Sequence, residues 1–234
     1  MNKRHLLRGA LLVVVVVSGL LLTGCAAVAE GSRAGGWGQG AAQVDGAGTG
    51  MVDLAVALDA DEIADLIFMR EEEKLAHDVY MALYETWGQQ IFSNIASSEQ
   101  THTDAVARLL ERFGIEDPVV SAELGVFADA GLQSLYDQLV AQGQTSLEDA
   151  LRVGIAIEEL DIVDLEERLE RTDNTEIERV YTSLLKGSYN HLAAFVSTLE
   201  RQTGEAVVSG FLQDAPSTVA SGGSQSRGRG RGRR

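Results

Sequence analysis

Glu99-Gln-Thr-His102 lies inside the run Phe92, Ile95, Glu99, His102, Val106, Leu109, Phe113, whose steps of three and four residues trace one face of an α-helix. A carboxylate and an imidazole therefore stand on a stripe that should be apolar. Left unpartnered in a protein interior, each costs roughly 1–3 kcal/mol. A divalent metal ion offsets both penalties together, because carboxylate oxygen and imidazole nitrogen both ligate iron, manganese and zinc. The single cysteine, Cys25, is remote from this stripe in sequence, so neither a soft Cu(I) site nor a rubredoxin-like site is expected.

The segments that must position these groups read as helices. The two prolines, Pro118 and Pro216, fall between helical patterns, and the β-branched runs of strands are missing. The spacing predicts four long helices. The first runs from about Ala60 to Trp87 on the stripe Ile63, Leu66, Arg70, Glu73, His77, Tyr80, Tyr84, Trp87. Its charge run Arg70 to Lys74 puts Glu71 and Glu72 on the solvated side. The second runs from about Gln90 to Phe113 and stops at Gly114. The third follows a Thr145-Ser146 cap, with Glu148 placed for the reciprocal hydrogen bond, and continues to about Arg171. Its stripe is Leu151, Gly154, Glu158, Asp161/Ile162, Leu165. The fourth follows Asp173-Asn174-Thr175 and ends before Gly204, on the stripe Ile177, Tyr181, Leu184, Ser188, His191, Phe195.

Connection lengths then give topology. A few residues join helices one and two, and three and four, so each pair forms an antiparallel hairpin. The link from two to three spans some thirty residues and carries a short helix around Leu132 to Val140. That is long enough to return along a bundle, as in ferritin-like folds with one crossover; a simple up-down bundle is the alternative.

With those elements placed, the chain from about 60 to 204 resembles the ferritin-like superfamily near rubrerythrin. It is most similar to an uncharacterised family of bacterial and archaeal ferritin-like domains of unknown function. The motifs are Glu73, Ala76 and Tyr80 on helix one, Glu99 and His102 on helix two, and Glu158 with Asp161 on helix three. Helix four keeps His191 but has Ser188 where a rubrerythrin-type protein has a second Glu. The resemblance implies an all-α, ferritin-like four-helix bundle with a metal site built from Glu73, Glu99, His102, Glu158, Asp161 and His191. Iron is the implied metal, a di-iron centre first, with manganese or zinc as alternatives. Ser188 leaves one oxygen ligand missing unless Asp161 or water replaces it. His77 is expected to serve a structural or supporting role.

The N-terminal end reads as a sorting signal. Lys3, Arg4 and Arg8 precede a thirteen-residue apolar run, Ala10 to Leu22, broken only by Ser18 and Gly19. It is short of the ~20 residues that span a bilayer and fits a secretory signal. Leu22-Thr23-Gly24-Cys25 follows and resembles the lipobox of bacterial lipoproteins, which implies cleavage before Cys25 and acylation of that residue. Residues 1–24 are therefore read as a lipoprotein signal peptide and 25–52 as a flexible Gly/Ala-rich linker. The helical domain covers 53–214, and 215–234 is read as a disordered Arg/Gly-rich tail.

Charge narrows the partners. Residues 53–214 hold 33 acidic against ten basic side chains, a net of about −23. Such a field draws in cations and repels nucleic acid. The expected partners are the membrane, through the lipidated N-terminus, and metal ions; nucleic acid is excluded and self-association into a homodimer is left open. The expectation is an exported metalloprotein, lipid-anchored in the cell envelope on the extracytoplasmic side of a bacterial membrane, that oxidises Fe(II) or reduces oxygen or peroxide. The alternative is a non-catalytic, degenerate ferritin-like module that binds one structural metal or an envelope protein.

Overall fold

A computed structural model describes residues 58–214 of the chain. The signal peptide, Cys25, the linker and the Arg/Gly tail lie outside the described residues. Among the described residues every regular element is a helix, and none is long and apolar enough to cross a membrane.

Helix α1 (Ala60–Trp87) opens on a capping box. Asp59 accepts from the N–H groups of Asp61 and Glu62, and Glu62 accepts from the N–H of Asp59. It ends at Gly88, whose φ of 63° is left-handed and favours glycine. Helix α2 (Gln90–Phe113) begins almost at once, so the two fold back as a hairpin. A crossover containing α3 (Ala130–Gly143) leads to α4 (Leu147–Leu169), which pairs with α5 (Thr175–Thr203); a short α6 (Gly210–Asp214) follows. Packing is most extensive within the hairpins α1–α2 and α4–α5. Because α2 also packs on α5 and α1 on α4, the four long helices close a ring around a common interior.

Two helix ends differ from the sequence reading. Ser146 caps α4, but its reciprocal partner is Asp149, which holds the third helical position; Glu148 stands one residue early and pairs with Arg152 at 2.7 Å instead. The helix stops at Leu169, short of Arg171, whose guanidinium reaches across to Asp65 at 2.7 Å. The crossover helix is longer than its Leu132–Val140 pattern, and α6 was not foreseen. Phe211 and Leu212 of α6 pack on a cluster of Ile162, Tyr189, Leu192 and Val196.

The crossover returns along α1. Asp117 pairs with Arg70 at 3.1 Å, Lys74 donates to the Glu123 carbonyl at 3.0 Å, and the Gly125 N–H donates to Asp78 at 2.8 Å. Ala128 and Asp129 donate backbone N–H groups to Glu71 at 2.6 and 2.9 Å, and the Trp87 indole donates to Gly143 at 2.9 Å. The middle of α1 is thus enclosed on every side. Glu71 and Glu72 are only 3% and 4% exposed, which overturns their expected place in solvent. Helical periodicity assumes one buried face, but the docked crossover covers Glu71 on another side, and Glu72 is turned to Asp161, Asp164 and Arg168 of α4.

The interior is layered. One apolar cluster, around Tyr80, Leu83, Phe92, Leu151 and Phe195, fills the end of the ring near the α1–α2 turn. Another, around Leu66, Met69, Val106, Leu110, Leu165 and Ile177, fills the opposite end. Polar side chains from all four long helices lie between them. Replacing the buried clamp, Glu71→Ala, strands two backbone donors and is expected to cost about 1–3 kcal/mol in urea denaturation. It should also open the crossover near residues 123–129 to limited proteolysis; unchanged stability and protection would contradict the clamp.

Candidate metal centre

Each site residue comes from near the middle of its helix, so all reach the same level of the interior. Glu73 is on α1, Glu99 and His102 on α2, Glu158 and Asp161 on α4, and Ser188 and His191 on α5. All seven are buried. The expected ligand set is therefore brought together, with Ser188 among it. His77 is not part of this group: its Nδ1 lies 2.8 Å from Asp78 on the crossover side of α1.

Glu99 is the centre of the arrangement. Its Oε2 lies 2.8 Å from His102 Nδ1, and its Oε1 lies 2.7 Å from His191 Nδ1. A second carboxylate flanks each imidazole: Glu73 Oε2 is 3.3 Å from His102 Nδ1, and Glu158 Oε2 is 3.5 Å from His191 Nδ1. The pattern is nearly two-fold, Glu73–His102 on one side of Glu99 and His191–Glu158 on the other. Ligand atoms of Glu99, His102 and His191 all lie within 4.8 Å of one another. Despite the short distances, neither imidazole Nδ1 makes an aligned hydrogen bond, and Glu73 Oε1, Glu99 Oε1 and Asp161 Oδ1 are likewise buried without one. In the metal-free site these groups pair as ions without aligned hydrogen bonds, and such a cluster of oxygen and imidazole-nitrogen donors also fits a shared cation.

Surrounding groups fix the orientations. Tyr80 donates to Glu158 Oε1 at 2.6 Å. His191 Nε2 contacts Ser98 Oγ at 2.9 Å, which turns Nδ1 toward Glu99. Ser188 Oγ donates to Asp161 Oδ2 while bonding back to the Leu184 carbonyl. A carboxylate from α4 thus stands beside Ser188 of α5. Gly187 gives His102 its room: a Cβ there would lie 2.5 Å from the ring. Sequence reasoning passed over Ser98 and Gly187. An isolated glycine inside a helical pattern was the available signal for one; nothing marked the other, whose role depends on the register of α2 against α5.

Burial and crowding set the protonation of the metal-free site. Burial lifts Glu73 and Glu158 from 4.5 to about 7, with the Glu99 charge adding to it, while the neighbouring imidazoles pull the other way. Burial also pushes Asp161 well up, helped by Glu73 and Glu158. Burial opposes ionisation of Glu99 too, but His102 and His191 outweigh it and draw the group down to about 2. Burial likewise opposes charging of the histidines, yet their carboxylates raise His102 to about 11 and His191 to about 10.

A model for an uncharacterized protein domain, DUF2202, matches residues 62–213, from α1 into α6 and across every candidate ligand. The chain belongs to the DUF2202 family. The DUF2202 domain is also similar to the uncharacterized protein MJ0754 of Methanocaldococcus jannaschii, at 55% identity over 139 residues, covering 59% of this chain and 75% of that protein. A solved structure, that of hypothetical protein MJ0754 from Methanococcus jannaschii, superposes with a TM-score of 0.63 at 51% identity, covering 64% of this chain and 86% of the other.

The protonation pattern predicts how the metal-free DUF2202 domain responds to pH. Glu73 and Glu158 bind protons more tightly folded than unfolded, so their contribution is lost as pH rises from 4.5 toward 7. The histidine contribution is full below 6.5 and lost as pH rises through the range of about 10 to 11. Glu99 acts oppositely, and its contribution is lost only as pH falls from 4.5 toward 2. Thermal midpoints of the metal-free protein should therefore decline between about pH 5 and pH 9. A flat or rising profile would contradict this balance.

Proposed function

We propose that the chain is an exported, lipid-anchored ferritin-like metalloprotein whose Glu73, Glu99, His102, Glu158, Asp161 and His191 hold two divalent cations, iron first. The observation that carries this reading is Glu99 with one oxygen toward each imidazole Nδ1, at 2.8 and 2.7 Å. A carboxylate so disposed would serve as a ligand together with both imidazoles. Glu73 with His102 would complete one ion's ligands, and Glu158 with His191 the other's. Four carboxylates and two neutral imidazoles carry a charge of −4, which two divalent cations neutralise. The donor set of oxygen and imidazole nitrogen fits iron or manganese, with zinc a third candidate.

Bound iron would supply one-electron redox capacity, the chemistry needed for oxidation of Fe(II) or reduction of oxygen or peroxide. The chain's own residues contribute position and exclusion. Tyr80 holds Glu158, Ser98 holds His191, and Ser188 holds Asp161. The apolar clusters at either end keep bulk water from the buried layer. The lipobox-like Leu22-Thr23-Gly24-Cys25 supports export and tethering in the envelope.

Ser188 favours a second reading, a module that retains one structural cation and has lost turnover. Its hydroxyl stands where a carboxylate ligand is expected, and Asp161 reaches that position only from a neighbouring helix. The two readings separate on measurement. Two iron ions per chain, both lost in Glu99→Ala, with Fe(II) oxidation or peroxide consumption above the metal-free background, support the redox protein. One tightly held ion without turnover supports the structural module. Absence of any retained iron, manganese or zinc would defeat both.

A further inference from the structure

The ligands on either side of Glu99 are matched in type, but the groups that hold them are not. On the Glu158–His191 side both residues are held from behind. Tyr80 is fully buried and donates to Glu158 Oε1 at 2.6 Å, while Ser98 Oγ lies 2.9 Å from His191 Nε2. The Tyr80 ring is itself wedged against Phe195, centroids 5.1 Å apart, and Phe195 rests on Phe92 at 5.8 Å. The Glu73–His102 side has no such brace. Glu73 Oε1 is buried without a hydrogen bond. Among the described residues no group bonds to His102 Nε2, and that edge of the ring meets the backbone of Gly187, where a Cβ would lie 2.5 Å from both Nε2 and Cε1.

That difference bears directly on affinity. A ligand fixed by an outer partner keeps its lone pair aimed when the ion departs, and loss of such a partner weakens metal binding about 10–100-fold. A ligand without one must be ordered by the ion itself, at the expense of affinity. An ion between Glu158 and His191 therefore meets donors already oriented, whereas one between Glu73 and His102 must order its own. Because Gly187 sets no side chain against the His102 ring, that imidazole is also the freer of the two to turn and let an ion pass.

We infer that the two cation positions are unequal: Glu158 and His191 hold a resident ion, and Glu73 and His102 take an exchangeable one, the Fe(II) that enters as substrate. Ser98 and Tyr80 are the positioning residues that set the difference, and Gly187 keeps the exchangeable side open to His102. This rests on the two-cation reading of the centre and adds which ion stays and which is replaced.

The test is Mn(II) binding to the full chain, followed by calorimetric titration and by anomalous difference maps of crystals at one equivalent and in excess. One equivalent should give a peak between Glu158 and His191, and excess should add a second between Glu73 and His102. The titration should resolve two classes of ion about tenfold or more apart. Ser98→Ala, and independently Tyr80→Phe, should weaken the tight class about 10–100-fold and leave the weak class in place. Gly187→Ala, which pushes the His102 ring aside, should remove the weak class alone. A first peak at Glu73 and His102, two positions filling in parallel, or unchanged affinity in both brace variants would overturn the inference while two cations still stand. A single ion shared by Glu99, His102 and His191 at every Mn(II) concentration would overturn the inference and the two-cation reading together.

Discussion

A carboxylate that is 2% exposed, with one imidazole nitrogen under 3 Å from each of its oxygens, is the constraint the rest of the fold serves. Glu99 in that position is tolerable only if positive charge surrounds it, and two histidines from different helices supply it. Those histidines need room and orientation. Gly187 provides the room for His102, and Ser98 turns the ring of His191. The flanking Glu73 and Glu158 then add negative charge that the imidazoles alone leave unbalanced. The polar layer is thus built as one unit, and removing one partner exposes the others to the desolvation cost of buried charge.

The helices hold that unit still. Hairpins α1–α2 and α4–α5 bring four mid-helix positions to one level, and apolar packing above and below resists their separation. The crossover adds a further brace. Glu71 and Asp78 are buried on the outer side of α1, where they accept backbone N–H groups of residues 125–129. Helix α1 therefore carries two sets of buried acids with opposite tasks. Glu73 faces inward to the histidines, and Glu71 and Asp78 face outward to hold the chain that returns past them.

Much of this was legible before any coordinates. The glycines at 88, 114 and 204 stop helices where expected, and the stripes on α4 and α5 are buried residue for residue. The Glu99-x-x-His102 pair stood out because polar groups on an apolar stripe demand a partner. What escaped the sequence depends on distant segments meeting. Solvated places for Glu71 and Glu72 followed from periodicity, but the crossover covers Glu71 and charged groups of α4 face Glu72. The pairing of Ser188 with Asp161 depends on how α5 sits against α4, which spacing along either helix does not encode. Ser146 caps α4 as expected, but its reciprocal partner was missed by a single residue, Asp149 for Glu148, since both acids precede the same apolar run.

The central claim is that imidazoles and carboxylates from separate helices grip the same cations. X-ray absorption of the iron-loaded chain tests it most directly, because imidazole rings scatter distinctively beyond the nearest ligand atoms. The account predicts oxygen and nitrogen neighbours with about one imidazole per iron, and a second iron within roughly 3.5–4 Å. Iron surrounded by oxygens alone, with no imidazole signature, would contradict it.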